Sequence, residues 1–414
     1  MALPEVMKSC EKTSMRKPAK IVVVSQHYLP DRSTTAAIMS AIAGHLATEA
    51  PVLVLSGTPG SNSPEPVSSG QPAVLELKNR LPGKAALFKR AVAEVSFTLR
   101  TALALLIRLR RGDVVLTVTA PFMLPYAVAA AARLRRARSI LIMHDLYPDV
   151  LVMAGVLRPT SIVTKAIHLA NSLMFGALSA VVTIGRDTEQ RLLRYRRMTR
   201  EKICFIPNWT TLVPGVRPIS AENSYRPAAA RFVVGLSGNL GFTHDPAVVF
   251  EAARLMRGEG DIHFLLSGWG VGFEQLKEMQ SKANLPNVTL VERVIDAELE
   301  EFLSAADIWL IPYRQDVAGV SVPSRFYNLL ALGRPVIIVA EPDAEVAQTI
   351  AEHRVGWVVR PGRPDALAET IRIASKSVDP LMVERAATIA AQFGFARAMA
   401  SYSALVQKNL RSSR

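Results

Sequence analysis

Residues 319–340 read GVSVPSRFYNLLALGRPVIIVA. A loop of small residues runs into Pro323 and Ser324, and an apolar helical pattern follows. Gly333 ends that pattern, and Pro335 leads into the buried-strand run Val336-Ile337-Ile338-Val339. Proline and serine suit a helix start, and glycine suits a helix end. The stretch is therefore a loop–helix–strand unit of an alternating α/β chain. It sets Ser321, Ser324 and Arg325 where a loop meets a helix N-terminus. The free N–H groups and partial positive charge of such an end draw an anion. Arg325, a cation in the first turn, opposes the helix dipole, so local helix stability gives no reason for it. The expectation is an anionic ligand, a diphosphate, at this loop. An ordinary capped αβ unit would show the same local pattern.

The same alternation continues outward from this unit. Runs at 21–25, 52–56, 114–119, 140–143, 181–184 and 203–206 predict strands, with helices at 35–47, 85–110, 125–134 and 160–178. A polar, proline-containing segment at 207–230 reads as a linker. The pattern then restarts with strands at 232–236, 262–266, 288–291, 308–311, 336–339 and 357–359. Helices are expected at 245–256, 273–283, 296–305, 323–332, 344–352 and 365–375, with a last helical stretch over 381–409. Alternating β and α predicts parallel sheets with helices on both faces. The expected fold is α/β, two doubly wound Rossmann-like domains facing across a cleft. Residues 1–19 read as a loose leader, 20–210 as the first domain and 211–384 as the second, with a helix at 385–410 packing back on the first. Ligands of such sheets sit at the carboxyl ends of strands, and a cleft between two of them is a favoured small-molecule site.

The 414 residues suffice for two domains, and half of them are hydrophobic. Cys10 and Cys204 make neither a disulfide framework nor a zinc site, as in a reducing cytosol. A net charge of +14 calls for an anionic partner. Aromatics are only 6% and do not interleave with basic residues, which argues against nucleic acid. The first nineteen residues have no apolar signal region. Residues 114–132 are free of charge, but Pro121 and Pro125 interrupt them, so they read as strand, loop and helix rather than a membrane span. Within the helix at 84–111, Lys89, Arg100 and Arg111 stand eleven apart and fall on one face, with Arg90 and Arg108 nearby. A basic stripe on an otherwise apolar helix suits an anionic membrane surface; the alternative is a core helix whose charged edge faces water.

Several chemistries are absent from the sequence. It has no Walker loop, no metal-spaced cysteine pair, no HExxH and no G-x-S-x-G. Ser25-Gln26-His27-Tyr28 follows the first strand where a dinucleotide-binding chain would carry glycines. What is present lies at strand ends. Ser237-Gly238-Asn239-Leu240-Gly241 opens the second unit, and Gly268-Trp269-Gly270-Val271-Gly272 follows its next strand. Glycines there let backbone N–H groups approach a phosphate. With Ser324-Arg325 they outline one crevice, although each alone is also a tight turn. In the first unit His144-Asp145 follows a buried strand and would face the cleft.

Four stretches carry a resemblance: HDLYPDVLVMAGVL at 144–157, IPNW at 206–209, SGNLG at 237–241 and VPSRFYNLLALGRPVI at 322–337. The chain resembles family 4 glycosyltransferases of the GT-B type, and within them the branch that assembles bacterial exopolysaccharide and O-antigen repeat units. The resemblance spans about residues 20–400. It implies a retaining transfer of sugar from a nucleotide sugar, UDP- or GDP-linked, with no metal or other cofactor. It implies a polyprenyl-diphosphate-linked or other glycan acceptor, and an enzyme that is cytoplasmic and peripheral at the inner face of the plasma membrane. By the same resemblance the backbone at Gly238 and Gly241, with Arg325, holds the diphosphate. Asn239, His244, Trp269, Gly270, Arg293, Pro312, Ser321, Pro323, Ser324 and Asn328 line the donor site. His144, with Asp145 beside it, meets the donor sugar near its anomeric carbon, and His144, Asp145 and Arg325 are the catalytic candidates.

The chain also departs from the pattern. Asn328 stands where a glutamate commonly holds the ribose hydroxyls, and Val320 replaces the partner glutamate eight residues earlier. His244 stands near where a basic residue usually serves the phosphates, and a histidine is only partly charged at neutral pH; Ser33-Thr34-Thr35 replace paired glycines. These losses keep open a second class, a protein of this fold that binds nucleotide sugars or regulates glycan assembly without turnover. A UDP-sugar 2-epimerase of the same architecture lacks support, because its acidic catalytic cluster is not seen.

Overall fold

The computed structural model describes residues 19–58, 70–80, 87–220 and 222–411. Apart from Ala19, the expected leader lies outside them. Among the described residues the first sheet holds β1 (Ile21–Ser25), β2 (Val52–Thr58), β3 (Ala73–Arg80), β4 (Val114–Val118), β5 (Arg138–Met143), β6 (Ala180–Thr183) and β7 (Ile203–Phe205). Their order is β3-β2-β1-β4-β5-β6-β7, parallel throughout. A second parallel sheet holds β8 (Phe232–Leu236), β9 (Ile262–Ser267), β10 (Val288–Val291), β11 (Ile308–Pro312), β12 (Val336–Val339) and β13 (Gly356–Val359), in the order β10-β9-β8-β11-β12-β13. The strand order reverses between β1 and β4 and again between β8 and β11. A crevice opens at such switch points beyond the carboxyl ends of the strands.

Helices of the first unit are α1 (Thr34–Ala47), α2 (Leu87–Arg108), α3 (Leu124–Leu134), α4 (Asp149–Met153), α5 (Ile162–Ala177) and α6 (Thr188–Leu192). Those that follow are α7 (Pro246–Leu255), α8 (Val271–Ala283), α9 (Leu299–Ser304), α10 (Arg325–Ala331), α11 (Glu345–His353), α12 (Pro364–Ser377), α13 (Pro380–Ala390) and α14 (Phe395–Arg411). The apolar strand runs follow from burial on both faces. Ile21 and Val23 pack towards α1 and α14, whereas Val22 and Val24 pack towards α2 and α3. In β12, Val336 and Ile338 join one core and Ile337 and Val339 the other.

Several elements differ from the sequence expectation. The edge strand β3 has no counterpart in it; Glu76 and Lys78 interrupt the apolar pattern there, and Glu76 accepts a hydrogen bond from Thr58 Oγ1 at 2.5 Å. Helix α2 stops at Arg108, so Arg111 does not share a helix face with Lys89 and Arg100. The cause is Asp113, whose carboxylate takes the Arg110 N–H at 2.9 Å and the Lys20 N–H at 3.1 Å, turning the chain out of the helix. The final helical stretch breaks at Gly394, which is extended. Helix α13 packs on α10, while α14 crosses to α1, where His45 Nε2 meets Ser403 Oγ at 3.1 Å. Residues 114–132 form β4, a loop and most of α3. Among the described residues no helix is long and apolar enough to cross a membrane.

Candidate active site

The loops after β8 and β9 are zipped together. Gly238 N–H donates to Ser267 O at 3.2 Å, Trp269 N–H to Gly238 O at 3.3 Å, and Leu240 N–H to Trp269 O at 2.9 Å. Gly238 has φ 107°, which glycine alone adopts freely, and a Cβ there would stand 3.1 Å from the Arg325 guanidinium carbon. Arg325, at the start of α10, donates through Nη1 to Ser237 O and through Nη2 to Asn239 O at 2.8 Å. Burial pushes its pKa down to about 10, so it remains a cation at neutral pH. Among the described residues no carboxylate pairs with it. A partly buried cation held only by carbonyls and a histidine is costly unless an anion joins it.

The histidine is His244. Its Nε2 stands 3.0 Å from Arg325 Nη2 and must accept, because a guanidinium only donates. Nδ1 therefore carries the proton, 3.1 Å from Thr243 Oγ1. Burial first, then the charges of Arg325 and Arg314, hold its pKa well below the usual histidine value. The expected partial positive charge on His244 is thus absent: it supports the arginine as a neutral acceptor. Nearby, Arg293 lies over the Trp269 ring, 4.6 Å from its centroid. The Pro312 carbonyl accepts the Asp245 N–H at 2.9 Å. The Pro323 and Ser324 carbonyls accept from Phe326 and Tyr327 at 3.2 and 3.3 Å, opening α10, and the Ser324 side chain makes no cap bond.

The first domain contributes His144 and Asp145, just past β5. Asp145 pairs through the backbone with Ser321 of the second domain, and Leu146 N–H donates to Val320 O at 3.2 Å. Burial raises the Asp145 pKa, and a hydrogen bond from Ser321 partly offsets the rise. His144 Nε2 is buried without a partner, and burial pushes its pKa down to about 4. Tyr313, one residue beyond Pro312, is its counterpart across the cleft: its hydroxyl is buried and unpartnered. Burial raises its pKa well above the usual phenol value, while the nearby Arg325 charge opposes that rise. Buried polar groups are normally satisfied, and among the described residues these are two of eleven buried side-chain atoms left without a partner.

A set of contacts after β6 binds the two domains. The Asp187 carboxylate accepts from Gly319 N at 2.8 Å and Glu345 N at 2.9 Å. Arg186 pairs with Glu345 at 3.0 Å and Glu352 at 2.9 Å. Arg191 of α6 donates to Ala318 O at 2.5 Å and Asp316 O at 2.7 Å, and pairs with Asp149 at 2.8 Å. Gly185 permits this approach, since a Cβ there would stand 2.8 Å from Val322 Cγ2. Sequence reasoning passed over Tyr313, Asp187 and Arg191. For Asp187 a signal existed: Arg186-Asp187 follows a strand just as His144-Asp145 does.

Asn328 stands apart from the group at Arg325. Its Oδ1 accepts from Thr211 N at 2.8 Å and Thr210 Oγ1 at 3.1 Å, and its Nδ2 donates to Thr211 Oγ1 at 3.0 Å. The carboxamide thus fastens α10 to the interdomain linker. Lys89, Arg90, Arg100 and Arg108 lie on α2 and Arg111 just beyond it, none of them in this cluster; Arg90 pairs with Glu94 at 3.1 Å. Among the described residues no group of three His, Cys, Asp or Glu side chains could hold a metal ion.

Two family models match in tandem: a glycosyl transferase 4-like domain over residues 34–209 and the group 1 glycosyl transferases over 231–376. The chain belongs to the family 4 glycosyltransferases. This glycosyltransferase is 27% identical over 359 residues to the probable glycosyltransferase WbjE of Pseudomonas aeruginosa, a match covering 85% of this chain and 88% of that one. It is 26% identical over 252 residues to the putative colanic acid biosynthesis glycosyl transferase WcaI of Escherichia coli K12, covering 59% and 61%. Its fold is that of HepE of Anabaena, solved with UDP and glucose: the TM-score is 0.65 at 14% identity, over 94% of this chain and 100% of that one. The glycosyltransferase fold is GT-B, two parallel-sheet domains with the Arg325 and His144 loops facing one another.

Proposed function

We propose that this glycosyltransferase moves a sugar from a nucleoside-diphosphate sugar to a lipid-linked or glycan acceptor in bacterial cell-surface polysaccharide synthesis, with retention at the anomeric carbon and without a metal. The observation that carries the proposal is the Arg325 cation, held without a carboxylate partner at the β8–β11 switch point. HepE, solved with UDP and glucose, and WcaI, named for colanic acid biosynthesis, support the donor class and the pathway class.

In this reading the donor diphosphate lies over the loop 237–241 and shares the Arg325 guanidinium. The acceptor oxygen bonds to the anomeric carbon on the face from which the diphosphate departs. Its proton passes to the leaving phosphate oxygen. Negative charge grows on that oxygen in the transition state, where a fixed cation is worth most. The orphaned His144 Nε2 and Tyr313 hydroxyl orient the sugar hydroxyls, and His144 does so neutral.

The outward face of α2 supports attachment to the inner face of the plasma membrane. Val92, Val95, Leu99 and Leu103 form an exposed apolar stripe; Leu99 and Leu103 are 64% and 61% exposed, and Lys89 and Arg100 flank them. A water-facing charged edge does not account for that stripe. The diversion of Asn328 to the linker favours one rival, binding without turnover. The deciding experiment screens UDP- and GDP-sugars for thermal stabilisation, which a ligand of the native state produces. Each stabilising donor is then incubated with lipid-linked acceptors. Stabilisation with sugar transfer supports the enzyme, stabilisation without transfer supports the rival, and no stabilisation by any donor overturns the donor site.

A further inference from the structure

A cavity of about 320 Å³ opens beside the cleft, lined by Leu146, Asp149, His168, Leu169, Ser172, Arg191, Arg194 and Tyr195. All of its lining residues belong to the first domain, Arg191 reaches from it to the Asp316–Ala318 loop, and Leu146 joins it to the His144–Asp145 turn. Its polar groups are unequal. Arg191 and Asp149 neutralise one another at 2.8 Å. Arg194 is exposed, and among the described residues its guanidinium has no recorded partner, so its charge is uncompensated. A hydrogen-bond chain orients His168. Tyr126 O–H donates to Asn171 Oδ1 at 2.5 Å, and Asn171 Nδ2 donates to Tyr195 Oη at 3.1 Å. The Tyr195 proton then goes to His168 Nδ1 at 3.0 Å, which leaves the His168 Nε2–H as a donor. The pocket therefore offers one free guanidinium and an imidazole N–H, while the Ser172 hydroxyl donates to His168 O at 3.1 Å.

The helix that forms one wall is apolar on its outside. On α5, Ile162, Leu169 and Leu173 follow at i, i+7 and i+11, with Val163 beside them, and Ile162 and Leu169 are 86% and 65% exposed. Leu169 belongs both to this stripe and to the cavity. A donor set of net positive charge that opens onto exposed hydrocarbon has the chemistry of an amphiphile's head and tail.

We propose that this cavity binds the phosphate of the lipid-linked acceptor, its hydrocarbon chain running along α5 and its sugar reaching His144 past Leu146. The inference rests on the glycosyltransferase reading above, and names the acceptor's anionic head as what the first domain recognises. Arg194 and His168 hold the phosphate, and Leu169 holds the first part of the chain.

The test measures binding of dodecyl phosphate, below its micelle concentration, to the full chain by calorimetry, with inorganic phosphate and dodecyltrimethylammonium as comparison arms. Dodecyl phosphate binds at least about tenfold more tightly than either. Arg194→Ala, an exposed position, lowers that affinity about tenfold. Leu169→Ser lowers it similarly but leaves inorganic phosphate unchanged. Arg325→Ala leaves it unchanged, so a failed donor site and a failed lipid site are told apart. Equal affinity for inorganic phosphate overturns the lipid assignment, and equal affinity for the cationic amphiphile overturns the phosphate assignment. Full affinity in Arg194→Ala, or displacement of dodecyl phosphate by a nucleoside diphosphate, overturns the site.

Discussion

Arg325 donates a hydrogen bond to His244, Nη2 to Nε2 at 3.0 Å, and this makes the histidine a neutral support rather than a second cation. The two residues therefore differ in what their removal costs. Arg325→Ala removes the charge and weakens nucleoside-diphosphate binding by about 1–3 kcal/mol. His244→Ala leaves the charge and changes affinity less than about tenfold. Isothermal calorimetry on both variants is the check, and equal losses would sink the assignment.

Asn328 holds the linker, so its loss reads out in stability. Asn328→Ala removes the acceptor for Thr211 N and Thr210 Oγ1 and costs about 1–2 kcal/mol by urea unfolding. Nucleoside-diphosphate affinity stays within about twofold. A selective loss of nucleotide binding at unchanged stability would instead return Asn328 to the ribose.

His144 gives a pH signature. Its folded pKa is about 4, below the usual value of about 6.5, so between those pH values the unfolded chain binds more protons than the folded one. Its contribution to stability is present above pH 6.5 and is lost as pH falls towards 4. Between pH 7 and pH 5 the loss is about 2 kcal/mol. Asp145 and Asp187, whose pKa values burial raises, act in the opposite sense, so the comparison is with His144→Gln, which keeps both. Urea unfolding at the two pH values shows a smaller fall for the variant; equal falls would remove the buried-histidine account.

Lys89→Glu with Arg100→Glu releases the protein from vesicles of anionic lipid, and raised salt does the same to the wild type. Arg111→Glu, beyond the end of α2, has a smaller effect. Cosedimentation decides it, and unchanged binding of the double variant would end the α2 membrane proposal.

The strands that build the cleft were legible because double burial makes them unbroken apolar runs, as in Val336–Val339. Edge strand β3 escaped because Glu76 and Lys78 on a half-covered strand break that run. The three loops that meet at Arg325 were legible from glycines at strand ends and from the Pro323-Ser324-Arg325 run. Pairings across more than a hundred positions were not: nothing near Asn328 in the sequence says that its partner is Thr211, 117 positions away, and nothing near Tyr313 says that its hydroxyl is left unpartnered. Arg111 misled for a simpler reason, since spacing implies a shared face only while the helix lasts.

The crossing of α14 to α1 has a consequence for synthesis. Met399, Tyr402 and Val406 complete a core that also contains Ile21, Met39 and Ile42. Chains generally fold from the N-terminus as they emerge, at about 5–20 residues per second. Here the first domain waits while the whole second domain is made, roughly 10–40 s. During that interval the α1 side of its sheet lacks its cover, so a nascent chain stalled before residue 395 presents an open apolar face to the cell's chaperones.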